Sequence, residues 1–483
     1  MLYLNKKILL LGSLFTAISL VGCKKDFLEV VPKGSLIAQN TTDYDQLLNS
    51  NSSTLLYPHI ESGDESACID PYYSGGAAYY QQNAFRWDND IWRVADKQTE
   101  WTVLMQQVYT YNKIINEVMD SKGGTDAQKR SIRAEALMSR AWVYFWMINY
   151  YGQPYNAATA ATDLGVPKVL VADVNQAKYT RASVKEVYDL IVSDLTQALP
   201  DVPSRLTNRA RATRAAAEAL LGKVYVFMAQ FDKALPELQA AVNDLANSDL
   251  PLGLYNFPQE LGPGGSFTPI NPYTGPNRTT PYQDKEILYM KEDLNLDAYF
   301  GGFFVLNPAT MALFTPGDSR RQFLTSVSLY DPTRNYPNGM MAVYGEVYTN
   351  IGVSVPDLYL LRAECKSRLN DLPGAVTDMQ SFRNLRMPAS EATIPSAIAG
   401  DQVALTKFIL QERIREYAMQ GYRWLDMRRL SVDPVYKSTV GTTHTLYDMN
   451  GNVKSTYTLR PERLTFRIPL YIAAANPDMP QNP

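Results

Sequence analysis

The chain is poor in the residues on which most hydrolytic and redox chemistry depends. Its 483 residues include two His and three Cys. So few histidines count against a His-based hydrolase, a zinc enzyme or a proton relay. His59 and His444 have no serine and carboxylate company nearby in sequence, and are expected as packed or surface side chains. Cys68 and Cys365 form no spacing pattern for zinc or a disulfide framework, and are expected as free or buried thiols. Neither sign of charge dominates: 46 Lys and Arg stand against 49 Asp and Glu, a net charge of -3. That balance offers no electrostatic footprint for nucleic acid. There is no HExxH helix and no Gly-x-Ser-x-Gly elbow, and Gly262-Pro263-Gly264-Gly265-Ser266 lacks the Lys-Ser/Thr of a phosphate loop. No catalytic residue, cofactor or metal is therefore assigned, and the acid-rich loops show no spaced calcium ligands.

Long apolar runs are also missing, apart from one short stretch at the amino terminus. Lys6 and Lys7 precede an apolar segment from Ile8 to Leu20, too short to span a bilayer comfortably. It ends in Ser19-Leu20-Val21-Gly22-Cys23, which reads as a lipobox. Residues 1–22 are thus expected to be a removable signal peptide, with Cys23 the lipidated residue. A lipid on Cys23 would hold the body at a membrane surface, with residues 23–70 as tether and amino-terminal segment.

What is abundant is aromatic: 32 Tyr, 16 Phe and 6 Trp. Apolar residues recur at helical spacing. Leu104, Val108, Tyr111, Ile115 and Val118 share one face, as do Ala134, Leu137, Ala141, Tyr144 and Ile148. Ser183 with Glu186 reads as a capping box opening a third helix, and Pro200 closes it. Leu221-Gly222-x2-Tyr225 followed by Phe231-x2-Ala234-x3-Leu238 has tetratricopeptide spacing, and Tyr359, Ala363 and Ala375 make a weaker copy. The segments 101–151, 183–246, 355–387 and 404–430 are read as four helix pairs. The expected fold is mainly α: a tetratricopeptide-like helical-repeat scaffold, spanning 71–250 and 351–483.

Two stretches break the pattern. Residues 70–101 carry eight aromatics, and residues 251–281 hold seven Pro and five Gly, which excludes regular elements. Residues 251–350 are read as an irregular, loop-rich ligand-binding subdomain. Rings beside amide and guanidinium groups suit sugars, whose C–H faces stack while their hydroxyls take hydrogen bonds. The candidate ligand-binding residues are Tyr72, Tyr73, Trp87, Asn89 and Trp92 in the first stretch, and Tyr273, Tyr282, Tyr299 and Tyr336 in the second. For any single ring, packing in the protein's own core is the competing reading. A hydrolase would need only two carboxylates, drawn from Asp88, Asp90 and Asp96 or from Asp284, Glu286, Glu292 and Asp293, but no motif fixes a pair. The run Glu412-Arg413-x2-Glu416 to Asp426-x2-Arg429 is read as an ion-pair network pinning the last repeat.

Taken in order, several of these pieces resemble the SusD/RagB family of Bacteroidetes outer-membrane lipoproteins. The resemblance rests on Cys23, on Arg133-Ala134-Glu135-Ala136-Leu137 leading to Tyr150-Tyr151-Gly152, and on Gly165-Val166-Pro167. It continues through Arg211 to Ala217 into Leu221-Gly222-Lys223-Val224-Tyr225, Leu360-Leu361-Arg362-Ala363-Glu364, the Glu412 to Arg429 run, Ile468-Pro469, Asn476-Pro477 and Gln481-Asn482-Pro483. It implies a cell-surface protein that pairs with a SusC-like TonB-dependent transporter as its lid. Such a protein captures an oligosaccharide, or in some members a peptide, and delivers it without chemistry. No motif of the family helps between about 251 and 345.

Overall fold

The computed structural model describes residues 38–483 apart from 50–52, 55–57, 177, 295–301, 329–332 and 345–347. Cys23, the signal segment and Tyr299 lie outside the described residues. The scaffold helices are α1 (Thr41–Leu48), α2 (Glu100–Glu117), α3 (Asp126–Tyr151), α4 (Val184–Ala198) and α5 (Arg214–Phe227). They continue as α6 (Phe231–Asp244), α7 (Val355–Arg368), α8 (Leu372–Asn384), α9 (Gln402–Glu416) and α10 (Tyr422–Ser431).

Local chemistry sets several of the starts. Thr125 and Gln128 close a capping box on α3, and Ser183 and Glu186 do so on α4, with Ser183 N donating to Glu186 Oε2 at 2.8 Å. Each helix then packs on the next: α2 on α3, α3 on α4, α5 on α6, α6 on α7, and α7 on both α8 and α9. Gly222 lets α5 and α6 cross closely, because a Cβ there would lie 2.6 Å from Leu238 Cγ.

Two of the four expected pairs divide differently. Residues 183–246 form three helices: α4 pairs back with α3, where Arg140 grips Asp194 at 2.7 Å, and only α5 and α6 form the hairpin. Helix α10 packs lightly on α9 and is drawn towards the main core instead. There Trp424, Leu425 and Met427 are buried, and Arg428 Nη2 donates to Gly152 O at 2.6 Å beyond the end of α3. A long cation seeking carbonyl oxygens at a helix end overrides the simple hairpin.

The charged run on α9 and α10 is a buried ionic lattice. Arg413 bonds Asp357 at 2.7 Å and Asp426 at 2.8 Å, while Arg429 bonds Glu364 and Asp426, both at 2.7 Å. Burial pushes the Asp426 carboxyl up, but Arg413 and Arg429 outweigh it and hold it well below the usual range. Sheet is sparse among the described residues. Strands β1 (Ser66–Ile69), β2 (Ile287–Tyr289), β3 (Phe304–Leu306), β4 (Val353–Ser354), β5 (Thr443–Tyr447) and β6 (Val453–Thr458) are all short. They give a four-stranded sheet in the order β6–β5–β1–β3 and an antiparallel pair of β2 with β4. The β5–β1 contact is parallel and the other two are antiparallel. Cys68 on β1 and Cys365 on α7 are buried.

Two expectations follow. Gly222→Val should lower stability by about 1–3 kcal/mol through overpacking against Leu238, read by urea denaturation. The second concerns pH. Burial raises Glu61 and Glu100 to about 7 and Glu65 to about 8, from an ordinary value of 4.5. With folded values above unfolded ones, the native state keeps protons that the unfolded chain has released, so their stabilising contribution is lost as pH rises through 7 to 8. His59 and His444, depressed to about 3 and about 4 by burial, oppose this trend weakly near 6.5, where the unfolded histidines are still losing protons, and are neutral in both states above about 7.5. The melting temperature should therefore fall between pH 6.5 and roughly 8.5, and Glu65→Gln should flatten that slope.

Candidate ligand-binding cleft

Between α6 and α7 the chain leaves the scaffold for about a hundred residues, yet α6 and α7 pack directly on each other. The excursion is anchored by arginines that the scaffold buries. Arg386, just past α8, is fully buried; it donates from Nη1 to Tyr255 O at 2.8 Å, and from Nη2 to Glu286 at 2.8 Å and Glu416 at 2.7 Å. Its guanidinium lies 4.2 Å from the Phe257 ring centroid and 4.7 Å from that of Phe382. Arg209 holds the other end of the strand segment, donating to Tyr282 O at 3.0 Å and Ile287 O at 2.5 Å. Asn256 starts a short helical turn whose Phe257 packs with Tyr255, Leu261, Phe267 and Phe323 in a small aromatic core of its own.

Between this core and the α9–α10 connection lies a cleft of about 1100 Å³, counting the part open to solvent. One side presents Tyr255, Phe267, Phe323 and Tyr348; the scaffold contributes Arg415, Glu416, Tyr417 and Tyr422. Tyr417 and Tyr422 are stacked with centroids 3.9 Å apart, and their hydroxyls are tied to Ser354 Oγ and Asn350 O. The Arg278 guanidinium covers the Phe323 ring at 4.4 Å. Asn350 accepts from Lys291 N and Gly352 N through Oδ1, while its buried Nδ2 has no protein partner. Tyr348, at 41% exposed, is the lining ring with the most free face.

The acidic groups of the cleft are committed. Glu416 accepts from Arg386 and, at 3.0 Å, from Arg320. Glu286 accepts from Tyr255 N at 2.7 Å and from Arg386; burial raises it to about 7 against the pull of Arg386. The arrangement can stack rings and donate hydrogen bonds.

The residues proposed from sequence fall into three groups. Tyr73, Trp87, Trp92 and Tyr336 are buried, and their assignment as stacking platforms is corrected to packing. Trp87 stacks on His444 at 3.7 Å and donates to Ser62 O, Trp92 stacks on Tyr80 and donates to Glu100, and Tyr73 and Tyr336 sit in separate apolar clusters. A ring can stack on a sugar only with a free face, and these have none. Tyr72 is half-buried between the same two clusters, and Asn89 is exposed, bonded by Arg460 and Arg463. Tyr273 and Tyr282, 65% and 46% exposed, stand on the excursion near the cleft. The Tyr273 turn is held by Tyr344, whose N–H donates to Phe323 O and whose hydroxyl donates to Pro272 O. Sequence reasoning missed Tyr255, Phe257, Phe267, Phe323, Tyr348 and Asn350. Their clustering with Pro and Gly between 251 and 350 was the available signal, but nothing in it separated wall from interior.

A solenoid of helices carrying an aromatic cleft on one long excursion defines a class of scaffold-mounted pocket proteins. A family model described as SusD-like, "Starch-binding associating with outer membrane", matches residues 26–226, and the SusD family model matches residues 355–483. The chain belongs to the SusD/RagB family. It is 25% identical to SusD-like protein P2 of Formosa agariphila over 375 residues, 68% of this chain and 71% of that one. It is also 25% identical over 235 residues to a SusD-like protein of Bacteroides ovatus, 47% of this chain and 40% of that one. Among solved structures, a putative sugar-binding protein of Bacteroides vulgatus superposes with a TM-score of 0.69 at 19% identity, over 93% of this chain and 99% of that one. A laminarin-binding SusD-like protein superposes at 0.62 and 16% identity, over 92% and 99%.

Arg386→Met should be strongly destabilising, by about 3–5 kcal/mol, because it leaves Glu286 buried without its cation and Glu416 with Arg320 alone. Chemical denaturation would read this loss.

Proposed function

We propose that this protein captures a nutrient glycan at the cleft between residues 255–350 and the α9–α10 connection and passes it, unchanged, to a SusC-like TonB-dependent transporter. The observation that carries the reading is the lining itself: several aromatic rings, among them a half-exposed Tyr348, beside the Arg278 and Arg415 side chains, with the nearby carboxylates held by arginines. Apolar faces beside N–H donors match the alternating C–H and hydroxyl surface of a sugar. The described relatives support the choice of ligand class, since one neighbour is named as laminarin-binding and another as a putative sugar-binding protein. Tyr273 and Tyr282 extend the binding surface outside the cleft. Residues 251–350 act as the binding unit and the helices on either side as the frame that meets the transporter as a lid. Lipid on Cys23, after removal of residues 1–22, anchors the chain on the outer membrane at the cell surface. No helix among the described residues is long and apolar enough to cross a membrane, which agrees with a lipid attachment.

A peptide is the second ligand the cleft suits, and it would rely on backbone hydrogen bonds to groups such as Asn350. Hydrolysis has one observation in its favour: Asp284, Glu286 and Glu416 line the same cleft. Two of those three are bound by Arg386, which opposes a role in proton transfer.

Calorimetric titration of the purified chain with a panel of polysaccharides and peptide mixtures, with product release followed in parallel, separates these readings. Tyr348→Ala should weaken saturable glycan binding about tenfold or more while leaving the melting temperature nearly unchanged. Trp87→Ala should do the reverse, lowering stability with little effect on affinity. Binding of peptides alone, or product formation that Glu286→Gln abolishes, would replace the glycan reading.

A further inference from the structure

The α9–α10 connection forms part of the cleft wall, and the fold treats residues 417–422 unequally. All of them are buried except Gln420, which stands on the wall of the cleft. The backbone on either side of it is left-handed: Met419 has φ 55° and Gly421 has φ 79°. At position 421 only glycine fits, because a Cβ there would lie 2.0 Å from Cδ2 of the buried His59. At Met419 the unfavourable angle is kept by an apolar cluster that includes Phe304, Phe314 and Leu446. The ends of the connection are fixed as well, by the Tyr417–Tyr422 stack and by the bonds of those hydroxyls to Ser354 Oγ and Asn350 O. Left-handed non-glycine residues persist only where the packing around them over-determines the backbone, and they gather at ligand sites. Here the effect is to hold one polar side chain at the cleft. The Gln420 N–H donates to Tyr417 O at 3.0 Å, while the side-chain amide makes no hydrogen bond with any described residue. The charged groups just before it on α9 are engaged, Arg415 with Glu412 and Leu313 O, and Glu416 with Arg320 and Arg386.

We propose that Gln420 selects the sugar in this cleft: its amide, with Nε2 as donor and Oε1 as acceptor, reads a pair of adjacent hydroxyls on a ring stacked against Tyr348. Resting on the glycan reading above, this role adds the group that sets specificity to the rings that set affinity. An aromatic face accepts many sugars, since all present C–H surface, whereas an amide with one donating and one accepting end distinguishes how neighbouring hydroxyls are oriented. The Tyr422 hydroxyl donates to Asn350 O at 3.0 Å, and these two residues lie two positions from Gln420 and from Tyr348 respectively. Amide and ring therefore come from two segments already tied together before a ligand arrives, which lowers the ordering cost of binding.

The test is calorimetric titration of the purified chain, wild type, Gln420→Met and Tyr348→Ala, with gluco-, manno-, galacto- and xylo-oligosaccharides of equal length. Melting temperatures are recorded for each variant. Methionine keeps the length of the side chain and removes both hydrogen-bonding functions. Gln420→Met should weaken binding of the preferred oligosaccharide by about tenfold and narrow the ratios of affinity between the four series. Its melting temperature should match the wild type. Unchanged affinity and unchanged ratios in Gln420→Met, with Tyr348→Ala still weakening binding, would overturn the role of Gln420 and leave the glycan reading standing. A uniform loss across the series together with a lower melting temperature would make Gln420 a structural residue and overturn its role likewise. No saturable binding of any oligosaccharide by the wild type would overturn the glycan reading itself, and the selector role with it.

Discussion

A buried guanidinium must find its counter-charges inside the protein, and most of this structure is arranged around that requirement. Arg386 is the clearest case. It is sealed from solvent, and it gathers Glu286 and Tyr255 from the excursion together with Glu416 and Phe382 from the scaffold. Arg320 does the same from the other direction, reaching from the excursion to Glu412 and Glu416 on α9. Such pairs contribute little net stability compared with apolar packing, because desolvation offsets the attraction. Their effect is specificity of placement: a segment with no long helix or strand can occupy only the position in which each charge is matched.

That constraint explains how an irregular excursion can carry a defined cleft. Loops rich in proline and glycine have few backbone hydrogen bonds to one another and would otherwise wander. Here the scaffold supplies the missing order through α8, α9 and the α9–α10 connection. The aromatic core of Tyr255, Phe257, Phe267 and Phe323 then forms between two fixed ends, with Arg209 and Arg386 holding the backbone. The open side keeps the Tyr348 ring available to a ligand. The carboxylates nearest the rings, Glu286 and Glu416, are committed to arginines by the same ion pairs.

The reading of the rings illustrates where sequence information stops. Trp87 and Tyr348 look alike in a sequence: both are aromatic, and both sit in irregular segments beside polar residues. Trp87 is buried because β1 and β5 bring His444 and Ser62 against it, contacts separated from it by 357 and 25 positions. Tyr348 opens residues 348–350, a short strand antiparallel to 292–294, and stands on the wall of the cleft with 41% of its surface exposed. The same lesson applies to Glu416. It belongs to a run whose charges predict an ionic network, and it is also part of the cleft, because Arg386 and Arg320 come from segments that no periodicity connects to it.

Helical periodicity, the capping pair Ser183 and Glu186 and the Gly222–Ala234–Leu238 spacing were enough to establish a stacked helical scaffold, because each reports contacts within one or two turns of the same chain. The concentration of proline, glycine and aromatics from 251 likewise marked the segment that departs from it. Which helix takes which neighbour, which rings are sealed and which face the cleft, and where each buried arginine finds its acids were decided only in three dimensions. Those outcomes depend on desolvation and charge matching between residues tens to hundreds of positions apart, and no local pattern in a sequence encodes which distant partner will arrive.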